Sequence, residues 1–434
     1  MCADHDLRAR IEAFLGYGYC PEPEWTDEQR RFADMLCDRG RVTVDADAPA
    51  EDLVRQGAAC WQAGFEEIPD GRQVVPLSGG LDSRIILGEL LHRGLRDETI
   101  AFTFGVPGAL DYEIGRRVAE AVGVEHVAVD FAGVELRRED LVRTAGETPA
   151  WGWLFDSHFT RLCVALFPPD ATVWSGYIGG TLCGAVLPEH PHETWTDALV
   201  LFHRKNRFVK SADLVSPTSD YRDWLPAHPL VDTQDLCFDD QAALLIRQLL
   251  CIRPAAAAAY GKPRTPFLSP SWRSYVLSLP YDVRRGRAMY WRVIEHLYPQ
   301  LCALPEKDRE GLPLGTPPRR LRLRQLRKRG FARLARVLRQ PSRRTRQWAN
   351  YIDYHEGIRV RDDLRSLVRD ALTSLRKRGV ADWIDMEGLW SRHQSRQRNH
   401  GDALTLLTAL DIHLEVLDRR GTGVGSGGEL AGQG

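Results

Sequence analysis

The chain has 434 residues, 43% of them hydrophobic, which is enough apolar material for one large domain or two ordinary ones with a substantial core. A formal net charge of -1 argues against a generally basic nucleic-acid binder, although the charge is strongly clustered along the chain. Nine cysteines without a C-x-x-C pair point to neither a zinc ribbon nor a secreted disulfide framework. With a charged N-terminus and no apolar run long enough to span a bilayer, a cytoplasmic protein is expected.

Residues 1–72 show weak helical patterning broken by a Pro-rich stretch, Cys20 to Trp25, and read as an arm or small helical subdomain. From Gln73 the text changes. An apolar run, Val74 to Leu77, is followed by a Gly turn and an amphipathic helix through Ile85, Ile86, Leu90 and Leu91 to Gly94. A second strand is expected over Thr99 to Phe104, a helix from about Tyr112 to Val122, and a third strand over His126 to Phe131. Such alternation implies βαβ units in a parallel, doubly wound sheet. Ala171 to Trp174 reads as a further strand ending in a second Gly-rich loop, and two such loops at strand ends suggest one shared site.

After Asp197 the pattern is mainly helical. The stretch 73–310 is therefore taken as one α/β domain whose C-terminal half is largely helical, continued by helices over 351–418. Between them, 311–350 is an Arg-rich insertion: Gly311 to Asn350 contains no acidic residue, and Leu323, Leu326, Leu334 and Leu338 recur at near-helical spacing among the arginines. It reads either as a solvated amphipathic helix or, over Arg319 to Arg346, as a receiver for an acidic partner. Residues 419–434 are Gly-rich and expected to be a disordered tail.

The strongest chemical signal is Ser78-Gly79-Gly80-Leu81-Asp82-Ser83, between a strand and a helix. Glycines let a phosphate approach the backbone, exposed N–H groups at a helix N-terminus favour negative charge, and serine hydroxyls add donors. No Gly-Lys-Ser/Thr follows, so this is not a Walker A loop.

LSGGLDSR resembles the PP-loop of N-type ATP pyrophosphatases, and looks most like that of asparagine synthetases, whose fold is of the adenine nucleotide alpha hydrolase type. The resemblance continues through TFGVPGALDYEIGRRVAEAVGVEHVAV, through RTPFLSPSWRSYVLSLPYDVR (Arg264 to Arg284) and into Leu304-Pro305-Glu306-Lys307. It implies ATP held by Ser78 to Ser83, adenine near Phe104 and Gly105, Mg²⁺ helped by Asp82, further contacts from Ser175 and Gly176, and Lys307 near the reacting phosphate. One match is imperfect. Ser175 to Thr181 reads SGYIGGT where asparagine synthetases have SGEGSDE, so Gly180 stands where an aspartate would share the metal; Glu189 or Asp156 is considered as a replacement. Tyr177, at the position of the family's glutamate, resembles the tyrosine of β-lactam synthetases. It is either a proton-removing group, with Glu193 as a guessed carboxylate partner, or a packed aromatic.

Cys2 follows the initiator Met as in N-terminal glutaminases, but the Gly-rich sequence expected after it is missing and no complete glutaminase domain is expected ahead of the loop. His190-Pro191-His192 lacks helical spacing and reads as a solvated loop. The resemblance implies an amide ligase that activates a small-molecule or peptide carboxylate as an acyl-adenylate for attack by ammonia or an amine. The alternatives are a PP-loop tRNA-modifying ligase, disfavoured by the near-neutral charge, and a non-catalytic nucleotide-binding protein, favoured by the loss at Gly180.

Overall fold

Val74, Ile100 and Phe102 are buried on one side of two neighbouring strands and Val75 and Ala101 on the other, the period-two pattern of strands covered on both faces. The computed structural model describes residues 2–20, 25–38, 40, 42–45, 47–148, 150–217, 221–257, 260–337, 347 and 349–423. In chain order it begins with helices α1 (Cys2–Tyr17), α2 (Asp27–Cys37) and α3 (Ala50–Ala63). The αβ alternation follows: β1 (Gln73–Pro76), α4 (Leu81–His92), β2 (Thr99–Gly105), α5 (Leu110–Val122) and β3 (Glu125–Asp130). Helices α6 (Arg138–Glu147) and α7 (Leu154–Val164) lead to β4 (Thr172–Val173), and the one-turn α8 (Gly179–Leu182) precedes α9 (Trp195–Asn206).

The four strands form an all-parallel sheet of order β3-β2-β1-β4. Val74 pairs with Ile100 on one side and Val173 on the other. The chain builds outward from β1 to β3 and then returns to β4 on the opposite side of β1. The point of reversal therefore lies between β1 and β4, where an open α/β sheet forms its crevice. The loops leaving these two strands are the two Gly-rich segments, so topology alone brings Ser78–Ser83 and Ser175–Gly180 together.

The rest is helical, including a π-helix over Gln241–Ala257 and α-helices Pro270–Ser278, Ala288–Leu297, Asp362–Arg378 and Gly401–Gly423. The first 72 residues are built into both main cores. On α3, Leu53, Ala58 and Trp61 pack with α4 and helix Ala288–Leu297, while Ile11, Phe14 and Leu15 of α1 pack with helix Gly401–Gly423. That last helix runs to Gly423, into the stretch expected to be tail; residues 424–434 lie outside the described ones. The Arg-rich segment forms helix Pro318–Val337, with Leu323 51% and Leu326 62% exposed, so these two leucines are not drawn into a core. Leu338 and the second arginine group, Arg343 to Arg346, lie outside the described residues.

Close approach of α5 to the sheet depends on Gly115. A Cβ there would stand 2.6 Å from Thr103 Oγ1 and 2.7 Å from the Leu77 carbonyl oxygen, to which Thr103 itself donates at 3.0 Å. Gly115→Ala is expected to destabilise the protein by about 1–3 kcal/mol through overpacking, read as a lower denaturation midpoint with unchanged slope. Wild-type stability would show that α5 can move off the sheet.

Candidate functional site

The Ser78–Ser83 loop leaves β1 and enters α4 with Gly80 as the helix N-cap in extended conformation. Its first three N–H groups find oxygens nearby. Ser78 N–H donates to Ser83 Oγ (3.1 Å), Gly80 N–H to Ser78 Oγ (3.2 Å), and Gly79 N–H to Asp111 Oδ1 (3.0 Å). The other oxygen of Asp111 takes the Lys307 ammonium. A carboxylate thus sits on the Gly79 N–H and the Lys307 ammonium, so these two donors already hold an anion supplied by the protein itself.

Lys307 is held against the loop by its own backbone, donating to the Gly79 carbonyl at 2.9 Å. The brace behind this contact is Arg84. Fully buried, its guanidinium donates to the carbonyls of Leu301 (3.1 Å), Leu304 (3.3 Å), Gly79 (3.4 Å) and Pro305, joining the first turn of α4 to the segment that carries Lys307.

Asp82 points toward the second loop. Gly180 N–H donates to its Oδ2 at 2.8 Å and the Tyr290 hydroxyl to its Oδ1 at 2.8 Å. Burial raises its pKa, opposed by the Tyr290 and Gly180 hydrogen bonds and the Arg287 charge, and assisted by Asp308. A Cβ at Gly180 would lie 3.4 Å from Asp82 Oδ2, so a side chain at this position would face Asp82. What faces it instead is a backbone N–H and, beyond it, the Arg287 guanidinium, itself paired with Asp308 at 2.9 Å. Neither Glu189 nor Asp156 is among the groups that act on Asp82; Asp308 is the carboxylate that does. Among the described residues, no three His, Cys, Asp or Glu side chains gather as metal ligands. A magnesium ion would therefore fit only with Asp82 as one ligand beside phosphate and water oxygens, using lone pairs its two hydrogen bonds leave open.

Ile178 (φ 66), Arg287 (φ 65) and Glu310 (φ 58) are non-glycine residues in the left-handed region, and each borders this site: Ile178 precedes Gly180, Arg287 acts on Asp82, and Glu310 closes a turn onto Lys307. For a β-branched residue such as Ile178 that conformation is strained, and strain of this kind collects where a loop's shape is over-determined.

The remaining expected site residues fall into two groups. Gly176 packs directly on Asp82, where a Cβ would lie 3.0 Å from Asp82 Cβ, and Ser175 Oγ accepts the Tyr177 N–H at 3.1 Å. The Tyr177 side chain turns away: its hydroxyl donates to the Gln248 carbonyl at 2.8 Å, and burial pushes its pKa up. Its partner is thus a backbone oxygen, and Glu193, guessed as a carboxylate partner, is exposed. Phe104 lies in an aromatic cluster with Phe102, Phe131 and Phe167. Gly105 (φ 137) ends β2 beneath the Asn350 carbonyl oxygen, which would be 2.9 Å from a Cβ there. His192 bonds Asp239 through Nδ1 at 2.7 Å. The Cys2 side chain lies outside the described residues.

Sequence reading missed Asp111, Tyr290, Arg287 and Asp308. Asp308 follows Lys307 directly and Asp111 lies in the segment quoted for β2 and α5, so both were in view. Nothing in the spacing of Arg287 and Tyr290 links them to a loop two hundred residues earlier.

No protein-family model matches the chain. Over 61 residues it is 33% identical to a 7-cyano-7-deazaguanine synthase from Psychromonas ingrahamii, a match covering 14% of this chain and 28% of that protein. The chain thus spans less than a third of that relative's length. The relative is a PP-loop ATP pyrophosphatase, and the likeness supports membership of this chain in the broad PP-loop superfamily without reaching the narrower asparagine-synthetase resemblance.

Asp156, in the first turn of α7, lines a cavity of about 520 Å³ rather than the loop, and burial pushes its carboxyl up to about 6. Because the folded pKa lies above the unfolded value near 4, the folded state holds its proton more tightly. Ionisation then costs stability, with no cost below about pH 4 and the full cost above about pH 6. Asp156→Asn is expected to raise unfolding free energy by about 2–3 kcal/mol at pH 7.5, with the gain vanishing near pH 4. Denaturant titrations at the two pH values check this; equal stability at pH 7.5 would mean the carboxylate stays well hydrated.

Proposed function

We propose that the chain is an ATP-dependent amide ligase of asparagine-synthetase type. In such a reaction a carboxylate oxygen attacks the α-phosphorus of ATP and expels pyrophosphate, giving an acyl-adenylate, and ammonia or an amine then attacks the acyl carbon and expels AMP to leave the amide. The single observation that carries this reading is the bond of Lys307 to Gly79, with its ammonium beside the loop despite a separation of more than two hundred residues. An empty strand-to-helix turn has no need of a buried arginine brace and a lysine delivered from the helical half.

In this reading the loop N–H groups and the hydroxyls of Ser78 and Ser83 bind the phosphates, with Asp111 swinging off Gly79 and Lys307 to admit them. Lys307 supplies a fixed positive charge for the developing phosphate charge, a role suited to a cation that does not titrate. Arg287 adds a second cation where the second carboxylate is missing, and Asp82 holds the magnesium ion with phosphate and water. Phe104 and Gly105 would border adenine once the Asn350 segment moves. Proton removal from an amine by Tyr177 loses support, because its hydroxyl is buried and donates to Gln248. The domain scheme proposed with this function keeps 73–310 and 351–418 as the synthetase body, with 1–72 and 311–350 as additions to it.

A second reading, a nucleotide-binding protein without catalysis, is favoured by one feature. Both Asp82 oxygens already carry hydrogen bonds, and a glycine faces them where the family resemblance calls for an aspartate. Pyrophosphate release separates the two.

Folded Asp82→Ala is expected to lose carboxylate-dependent pyrophosphate release, and Lys307→Ala to slow amide formation by about 10²–10³-fold whatever the amine. Tyr177→Phe should leave release and product close to wild type while lowering stability by about 1 kcal/mol. Coupled pyrophosphate assays with product detection test all three. No release by the wild type with any carboxylate offered would turn the choice to the non-catalytic reading, and selective loss of amide product in Tyr177→Phe would restore its role as a base.

A further inference from the structure

Helix Pro318–Val337 carries Arg319, Arg320, Arg322, Arg324 and Arg327, and the side chains of all five are exposed. No residue of the helix is acidic, so nothing within it offsets them. Arg320 and Arg324 stand four residues apart, and the pairs Arg319 with Arg322 and Arg324 with Arg327 stand three apart, the spacings at which like charges repel across a helix surface. Arg319 and Arg320 also lie in the first turn, where the helix dipole disfavours a cation. These charges work against the helix that carries them, so an anionic surface outside it would stabilise it.

Two leucines mark the side on which that surface lies. Leu321 and Gln325 are half-buried and turn toward the body of the protein, whereas Leu323 and Leu326 are more than half exposed. At about 100° per residue, Leu323 and Leu326 stand roughly 140–160° round the helix from Leu321, on its outward side. By the same spacing Arg319 falls in line with the two leucines, and Arg322 and Arg327 flank them. The base of the helix is fixed: Arg309 Nη1 donates to the Thr316 carbonyl at 3.1 Å, and Leu314 is buried in the larger core. Nucleic acid would take the arginines and leave the leucines in water, whereas the headgroup boundary of an anionic bilayer takes both, phosphates on arginine and acyl chains on leucine. From this we infer that helix Pro318–Val337 docks the protein on an anionic phospholipid surface, lying in its plane with Leu323 and Leu326 inserted. The inference goes beyond the proposed ligase reaction and needs neither ATP nor a carboxylate.

Flotation of the full chain with vesicles tests it, one set made of phosphatidylcholine and phosphatidylglycerol in equal parts and the other of phosphatidylcholine alone. The protein is expected to float with the anionic vesicles and to remain below with the neutral ones, and to lose about tenfold or more in apparent affinity as salt rises from about 0.1 M to about 0.5 M. Arg320→Gln, Arg324→Gln and Arg327→Gln combined should weaken binding by about a hundredfold. Leu323→Gln with Leu326→Gln, which leaves the charge unchanged, should weaken it by about tenfold. On the wild type itself, anionic vesicles should slow tryptic cleavage after Arg319, Arg320, Arg322, Arg324 and Arg327, a readout that depends on no variant. Absence of flotation, equal flotation with neutral vesicles, or binding indifferent to the leucine pair overturns the inference. With transfer RNA as the competing probe, RNA binding that the arginine changes abolish and the leucine changes spare, without flotation, would assign the helix to nucleic acid instead.

Discussion

The Arg84 guanidinium, buried and spread over four carbonyl oxygens, is the constraint on which the candidate site depends. Its acceptors come from Gly79 in the loop itself and from Leu301, Leu304 and Pro305 in the helical half. Its two terminal nitrogens donate to carbonyl dipoles, Glu306 adds a negative charge nearby, and Nε is left without a partner among the described residues. A planar five-donor group can reach several backbones at once, which an ammonium on a flexible stem does less well. Remove it, and the Lys307 segment keeps its Gly79 hydrogen bond but loses the brace that fixes its height above the loop.

Around that brace the electrostatics are arranged by backbone conformation more than by side-chain choice. Arg287 and Ile178 occupy the left-handed region on either side of Asp82, and Gly180 presents an N–H where a side chain would otherwise face the carboxylate. The acid is surrounded by donors: a tyrosine hydroxyl, a peptide N–H and the field of a guanidinium. Lys307 and Asp111 form a second charged pair across the loop, so the site contains the charges for an anion along with an internal anion that occupies them.

The cavity beside α7 follows a different principle. Around the loop Lys307 pairs with Asp111 and Arg287 with Asp308, whereas Asp156 on the cavity wall has no cation offsetting it among the described residues.

The sequence by itself determined the parallel sheet, the bounds of its first three strands to within a residue or two, and the position of the Gly-rich loop between β1 and α4. These are local matters. Apolar runs of strand length, glycines and helical periodicity are written in adjacent residues, and the right-handed crossover rule turns them into a parallel sheet. It also singled out Lys307, through a resemblance rather than through physics. Only the tertiary structure decided which side chains meet at the loop. Asp111, Arg287 with Tyr290, and Asp308 come from three places along the chain, and no periodicity predicts contacts made by helix packing and turn geometry. It decided too that the Tyr177 hydroxyl meets Gln248, because the π-helix packs beside the second loop, and that Asp156 lies in a cavity, because the walls come from α7, α9, the π-helix and the C-terminal helices together. A residue's neighbours in sequence fix its backbone preferences, but burial and charge pairing depend on what the rest of the chain brings beside it.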